Sequence, residues 1–167
     1  MRSRVFGFSV AAVVFLIDQL TKWIVIGPLD LQTVGQIHLL PIFNLSWTEN
    51  YGISLGMLDA GGSAAGQWAL IALTSAIALG VAWWIGRETN RGDQLALGMV
   101  LGGAVGNILD RLRFGYVVDF ADLHFGAFRP FLVFNVADAA ISIGVVILLV
   151  RAFLPDKGGS KENAEHA

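Results

Sequence analysis

Asn107, Asp110, Arg111, Asp119, Asn135 and Asp138 stand among the largely apolar residues of the stretch 106–140. Polar side chains are expensive in such a setting and mark function by default. Asp119 and Asp138 carry the most specific chemistry. Two close carboxylates cannot both ionise cheaply in a low-dielectric site, so one keeps a proton and the pair titrates as a unit, a base beside an acid near neutral pH. That arrangement suits peptide hydrolysis. The ionised member takes a proton from water, and the protonated one hydrogen-bonds the scissile carbonyl and stabilises the developing oxyanion. Asn107 and Asn135 are placed to orient the carboxylates, and Arg111 to neutralise Asp110 or to hold a substrate carbonyl or phosphate. Plainer readings fit the same residues. Asn135 followed by Asp138 matches a helix cap with an acid in its first turn, Asp110 and Arg111 match an interfacial ion pair, and Asp119 matches a solvated loop residue. Intramembrane carboxylates equally mark proton-coupled transport.

Elements able to position these groups follow from composition. Of 167 residues 55% are hydrophobic and 14% charged, with a mean hydropathy of +0.65, far from the mixture of a soluble domain. One integral membrane domain of four spans is predicted, since each span takes roughly 20 residues. A net charge of -2 without a basic run gives no footprint for nucleic acid. The absence of cysteine excludes disulfides, thiolate metal sites and a cysteine nucleophile. His38, His124 and His166 are scattered without ligand-like spacing, so neither a metal nor a cofactor is expected.

The spans are predicted at 5–26, 64–85, 94–111 and 134–150. Arg2 and Arg4 precede the first, which places the N-terminus in the cytoplasm. Asp18, Gln19 and Lys22 interrupt it where a signal-peptide cleavage site would fall, so it is read as uncleaved, with Asp18 and Lys22 one turn apart as a local ion pair. The segments 27–63 and 112–133 then lie on the periplasmic side and the polar tail 151–167 in the cytoplasm. Phe43, Leu45 and Trp47 alternate with Asn44, Ser46 and Thr48, and Ile53 and Leu55 alternate again after a turn at 49–52. That pattern predicts two strands of a small sheet on the outer membrane face, covering lipid or serving as a structural cap. Trp83 and Trp84 end the second span as an interfacial anchor. The third is short, and its Gly98, Gly102 and Gly106 repeat a small-residue pattern that admits a close neighbouring helix. In this layout Asp18 and Lys22, residues 107–111 and residues 135–138 occupy one layer at the outer boundary.

These residues resemble the lipoprotein signal peptidase family, also called signal peptidase II, the bacterial inner-membrane aspartic peptidases of lipoprotein maturation. The likeness is carried by DQLTK at 18–22, Asn50 and Gly52 in ENYGISLG, GNILDR at 106–111, VVDF around Asp119 and FNVADAAISIG at 134–144, in order over nearly the whole chain. It implies that Asp119 and Asp138 are the catalytic pair and that Asp18, Lys22, Asn50, Gly52, Asn107, Asp110, Arg111 and Asn135 support the site or the substrate. It also implies cleavage of a prolipoprotein before a cysteine that already carries a diacylglyceryl group, at the periplasmic face of the inner membrane, with substrate and membrane lipid as the partners and no metal. Ile53, Ser54 and Leu55 depart from the family's usual Ala and Phe, which bears on side-chain preference. Outside the resemblance, a proton-coupled transporter, a scaffold using the glycine face, and a serine–lysine peptidase built on Lys22 with Ser46 or Ser54 remain open.

Overall fold

Four helices of the computed structural model are long and apolar enough to cross a membrane, at Val5–Ile26, Ala64–Arg87, Arg91–Phe114 and Val136–Phe153. The structure describes residues 2–52, 64–126 and 128–153. In chain order the elements are α1 (Arg2–Ile26), α2 (Leu31–Val34), β1 (Gln36–Leu40), β2 (Phe43–Asn50), α3 (Ala64–Arg87), α4 (Arg91–Phe114), β3 (Val117–Leu123) and α5 (Val136–Phe153). The tail beyond residue 153 and the Ile53–Leu55 segment lie outside the described residues.

Glycine explains why α4 is the central helix. Half of its apolar window is buried, against 22% or less for the other three spans. Gly98 and Gly102 face the backbone carbonyls of Gly7 and Ala11 on α1, and Gly103, about 100° further round, faces the Ala137 carbonyl of α5. No Cβ fits at these positions without parting the helices. Small residues thus let three backbones close on one another where lipid supplies no hydrophobic drive. We expect Gly102→Ala to cost about 1–3 kcal/mol by overpacking. Gly80→Ala, on a stretch of α3 where no described residue lies within 4 Å of the new methyl, should leave the melting temperature of the detergent-solubilised protein unchanged or slightly raised, since alanine is the better helix former.

The third span is longer than its apolar core predicts. Its start is fixed by Asn90, whose side chain accepts from the Gly92 amide, and its end by Gly115 at φ 82°. Those caps add three residues at each end, so Arg91–Phe114 crosses with length to spare, whereas 94–111 only just does. Likewise α3 runs to Arg87, whose guanidinium lies 4.9 Å over the Trp83 ring, and α5 runs from Val136 to Phe153.

Sheet order is β1-β2-β3, antiparallel throughout. The hairpin differs from the predicted one. β2 does not turn at Glu49 but continues through Asn50, and its hairpin partner is the preceding β1, with Ile37 opposite Leu45. Five residues following Gly35 carry too little alternation to announce a strand. β3 is equally hidden, because all of its residues from Val117 to Asp122 are buried and its apolar residues, broken by Asp119 and Asp122, show no period of two. Leu45, Val118, Phe120 and Ala121 form one buried cluster with Val25 of α1 and Leu31 of α2, so the sheet caps the bundle. The bridge between Ala121 and Phe134 then delivers the chain from β3 to the start of α5.

Candidate active site

The sheet-side end of the bundle gathers side chains from five elements. Asp119 sits on β3, where it faces Thr48 of β2, and is 1% exposed. The Asn50 amide donates to its Oδ2 at 3.0 Å and the Asn135 amide to its Oδ1 at 2.6 Å. Asp138 stands in the first turn of α5, where the helix N-terminus favours a carboxylate. Asn107 of α4 donates to its Oδ1 at 2.8 Å.

The two carboxylates are joined through their amides. Asn135 donates also to Asn107 Oδ1 at 3.2 Å, and its own Oδ1 accepts from the Asp138 backbone amide at 2.9 Å. The helix-cap reading of Asn135 therefore holds, and the same side chain reaches Asp119 as well. Burial raises the Asp119 carboxyl to about 7, with the charge of Asp138 adding to the rise and the Asn50 and Asn135 amides and Lys22 opposing it. Lone-residue readings of Asp119 as a solvated loop position do not survive this geometry.

Lys22, 2% exposed, lies beneath the pair. Its ammonium meets Asp18 at 2.9 Å, Asp110 at 2.7 Å and Asn107 Oδ1 at 3.3 Å. Asp18 and Lys22 do pair along α1, but the pair is one side of a buried triad. Of the two roles open to Arg111, pairing with Asp110 is not the one adopted, because the Asp110 side chain turns toward α1 and takes Lys22. Adjacent residues on a helix point about 100° apart, which separates Asp110 from Arg111. Arg111 feels the charges of Asp138, Asp119 and, less, Asp110; its guanidinium donates to the Asn107 carbonyl at 3.5 Å, and its Nε is buried with no hydrogen-bond partner among the described residues.

Gly52 completes the rim. Its amide donates to Asn50 Oδ1 at 2.9 Å, its φ is +110°, and a Cβ there would strike Leu70 and lie 3.8 Å from Arg111. Only glycine accepts that conformation readily. The turn holds the Asn50 side chain with its amide toward Asp119.

The predicted site residues are thus brought together, and further ones join them. Gln19, marked in the sequence only as an interruption of an apolar span, bonds within the buried cluster. Asp122, three residues after Asp119, is on the opposite face of the strand, as an odd spacing requires. There it accepts from Ser46 at 3.1 Å and Arg129 at 3.1 Å, which hold its carboxyl below the usual range. Ser46 and Lys22 consequently have separate partners and form no serine–lysine pair. Ser54 lies outside the described residues. Among the described residues no group of three or more His, Asp or Glu side chains is arranged to hold a metal ion.

Four apolar spans with their polar residues gathered under a sheet at one end define a polytopic membrane protein. The family model described as signal peptidase (SPase) II matches residues 10–154, and the chain belongs to that family of membrane peptidases. Lipoprotein signal peptidases are similar along most of its length. That of Sphingopyxis alaskensis is 55% identical over 160 residues, covering 96% of this chain and 92% of the relative. That of Rhizorhabdus wittichii is 56% identical over 151 residues, covering 90% and 87%. A bacterial membrane enzyme solved by the in meso method at 1.9 Å superposes with a TM-score of 0.76 at 26% identity, over 90% of this chain and 94% of that one.

Proposed function

We propose that the protein is an aspartic endopeptidase that removes the signal peptide from diacylglyceryl-modified prolipoproteins, cutting before the lipidated cysteine. One observation carries this reading. Asp119 and Asp138 arrive from different elements, each held by an asparagine amide and coupled through Asn107 and Asn135. In the proposed reaction the ionised member of the pair takes a proton from water as its oxygen attacks the scissile carbonyl, and the protonated member donates to the carbonyl oxygen. Collapse of the tetrahedral intermediate breaks the C–N bond and delivers a proton to the leaving nitrogen. The products are a signal peptide with a free carboxylate and a lipoprotein with a free cysteine amine. No metal or cofactor enters. Arg111, facing the carboxylates, is assigned to the substrate's carbonyl or phosphate oxygens.

Orientation belongs to the same proposal. Arg87, Arg91 and Arg151 join Arg2 and Arg4 at the end away from the sheet, which the positive-inside rule assigns to the cytoplasm. The site then faces the periplasm in the inner membrane, at the level where a lipid-anchored substrate presents its cleavage point.

The test is cleavage by purified protein, with a chelator present, of a precursor with and without the diacylglyceryl group. Mass spectrometry should find the lipidated cysteine as the new N-terminus and no cut in the unlipidated precursor. Failure to cut any lipidated precursor would overturn the proposal.

A pH dependence follows. Above about 7 Asp119 loses its proton, the pair has no acid left, and kcat should fall as pH rises through that value. Linkage runs in the same direction. The native state keeps a proton that an unfolded chain, with a carboxyl near 3.8, has released. The stability held by that proton is fully present below about 3.8 and is lost as pH rises through about 7. Thermal unfolding across that window should show the slope, and Asp119→Asn should remove it.

A further inference from the structure

The geometry points to Gln19 as a positioning residue that, with Lys22, locks the spacing of Asp119 and Asp138 through the backbone residue preceding each of them. This inference rests on the proposed dyad.

Two buried carboxylates hold the dyad's flanks. Asp18 Oδ1 accepts from the backbone amide of Ala137 at 3.0 Å, one residue before Asp138. Asp110 Oδ2 accepts from the backbone amide of Val118 at 3.2 Å, one residue before Asp119. The distance between Asp18 and Asp110 therefore governs how far apart α5 and β3 hold their aspartates. Two links set that distance. Lys22 bridges both carboxylates, and Gln19 Nε2 bridges them again, at 3.1 Å to Asp18 Oδ2 and 3.1 Å to Asp110 Oδ1. The same amide lies 3.4 Å from the Gly106 carbonyl, which ties the clamp to α4. Gly106 itself must lack a Cβ, since one would fall 2.5 Å from Asp18 Oδ2.

A single ammonium does not define this geometry. Lys22 meets Asp18 through Oδ2 and Asp110 through Oδ2, leaving Asp110 Oδ1 free to swing unless a second donor fixes it. Gln19 supplies that donor without adding charge. With Lys22 alone the cluster has one cation for two anions, and neutral donors at the remaining oxygens make such a buried arrangement sustainable.

Activity and pH profile of the full-length enzyme with the lipidated precursor test the assignment, using Gln19→Leu, Gln19→Asn and, as a control, Thr21→Val. Among the described residues Thr21 bonds only carbonyls of its own helix, those of Ile17 and Asp18. Two coupled acids have widely separated apparent pKa values, and the separation shrinks as they move apart. The charged groups surrounding the pair are Asp18 and Lys22 from α1 and Asp110 and Arg111 from α4, and none of them is altered by these variants.

We expect Gln19→Leu to lower kcat about 10²-fold with KM nearly unchanged, as a misplacement on the order of 1 Å does, and to narrow the pH–kcat bell. Gln19→Asn, which keeps the donor but shortens its reach, should fall between the two, and it carries the test if the leucine variant does not fold. Thr21→Val should behave as the unmodified protein. Unchanged kcat in Gln19→Leu would overturn the inference, and so would a kcat loss with the bell at its original width, which marks mere loss of folded enzyme. If the unmodified protein cuts no lipidated precursor, the dyad reading itself fails, an outcome distinct from either.

Discussion

Asp119→Asn and Asp138→Asn will each lower kcat/KM for a lipidated precursor by about 10³–10⁴-fold, the scale of removing one member of an acid–base pair. The double variant should be scarcely worse than either single one, because the pair acts as a unit and its members are not additive. Fold should survive both changes. Asn at 119 keeps one oxygen, enough for one of the Asn50 and Asn135 amides, which reach different oxygens of Asp119, and at 138 it keeps one for Asn107. Burial of an uncharged amide in place of a carboxyl raised to about 7 removes a desolvation cost that offsets the one donor left unpaired, so Asp119→Asn should melt slightly below the unmodified protein at acid pH and close to it at alkaline pH. Cleavage assays and thermal unfolding on the same preparations check this. Turnover retained within tenfold in either variant would sink the assignment of the pair.

Lys22→Met should be the most destabilising single change in the cluster. Its ammonium is the cation shared by Asp18 at 2.9 Å and Asp110 at 2.7 Å, and all three side chains are 2% exposed or less. Methionine matches the stem but leaves two buried carboxylates facing each other without a counter-charge. Breaking a buried pair by removing one partner costs about 3–5 kcal/mol, a large share of the roughly 5–15 kcal/mol that holds a typical domain together. The expected result is a sharply lower melting temperature in detergent and no measurable cleavage. Asp110→Asn should be milder, because Lys22 keeps Asp18 and the Val118 amide keeps an oxygen acceptor. A Lys22→Met protein that melts and cleaves like the unmodified one would show that the triad contributes neither stability nor geometry.

Much of the molecule was legible in the order of its residues, for reasons that differ by element. Four spans could be read because a lipid environment requires long, uninterrupted apolar helices, and 18 or more such residues leave few other readings. The polar residues could be read as a site because each is costly where it stands. Strands fared worse. β2 alternates because it is covered unevenly, whereas β1 is too short and β3 too thoroughly buried to show a period, so the turn at Asn50 was placed within a hairpin that forms instead between β1 and β2. Helix ends were set by Asn90 and Gly115, which lie outside the apolar windows used to place them.

Pairing of the polar side chains was a tertiary decision. The one-turn spacing of Asp18 and Lys22 gives a pair on a single helix, but nothing along the chain says that Asp110, 88 positions after Lys22, completes it. Gln19 shows the same limit, since one interrupting amide has no visible partner until α1 and α4 close on their glycines. The sequence by itself determined which chemistry was on hand and that it lay at one end of the spans, because solvation cost and hydrophobic length are properties of each residue and segment taken singly. Only the tertiary structure decided who pairs with whom, because hydrogen bonds and ion pairs act over about 3 Å and their direction depends on how packed helices are rotated about their axes.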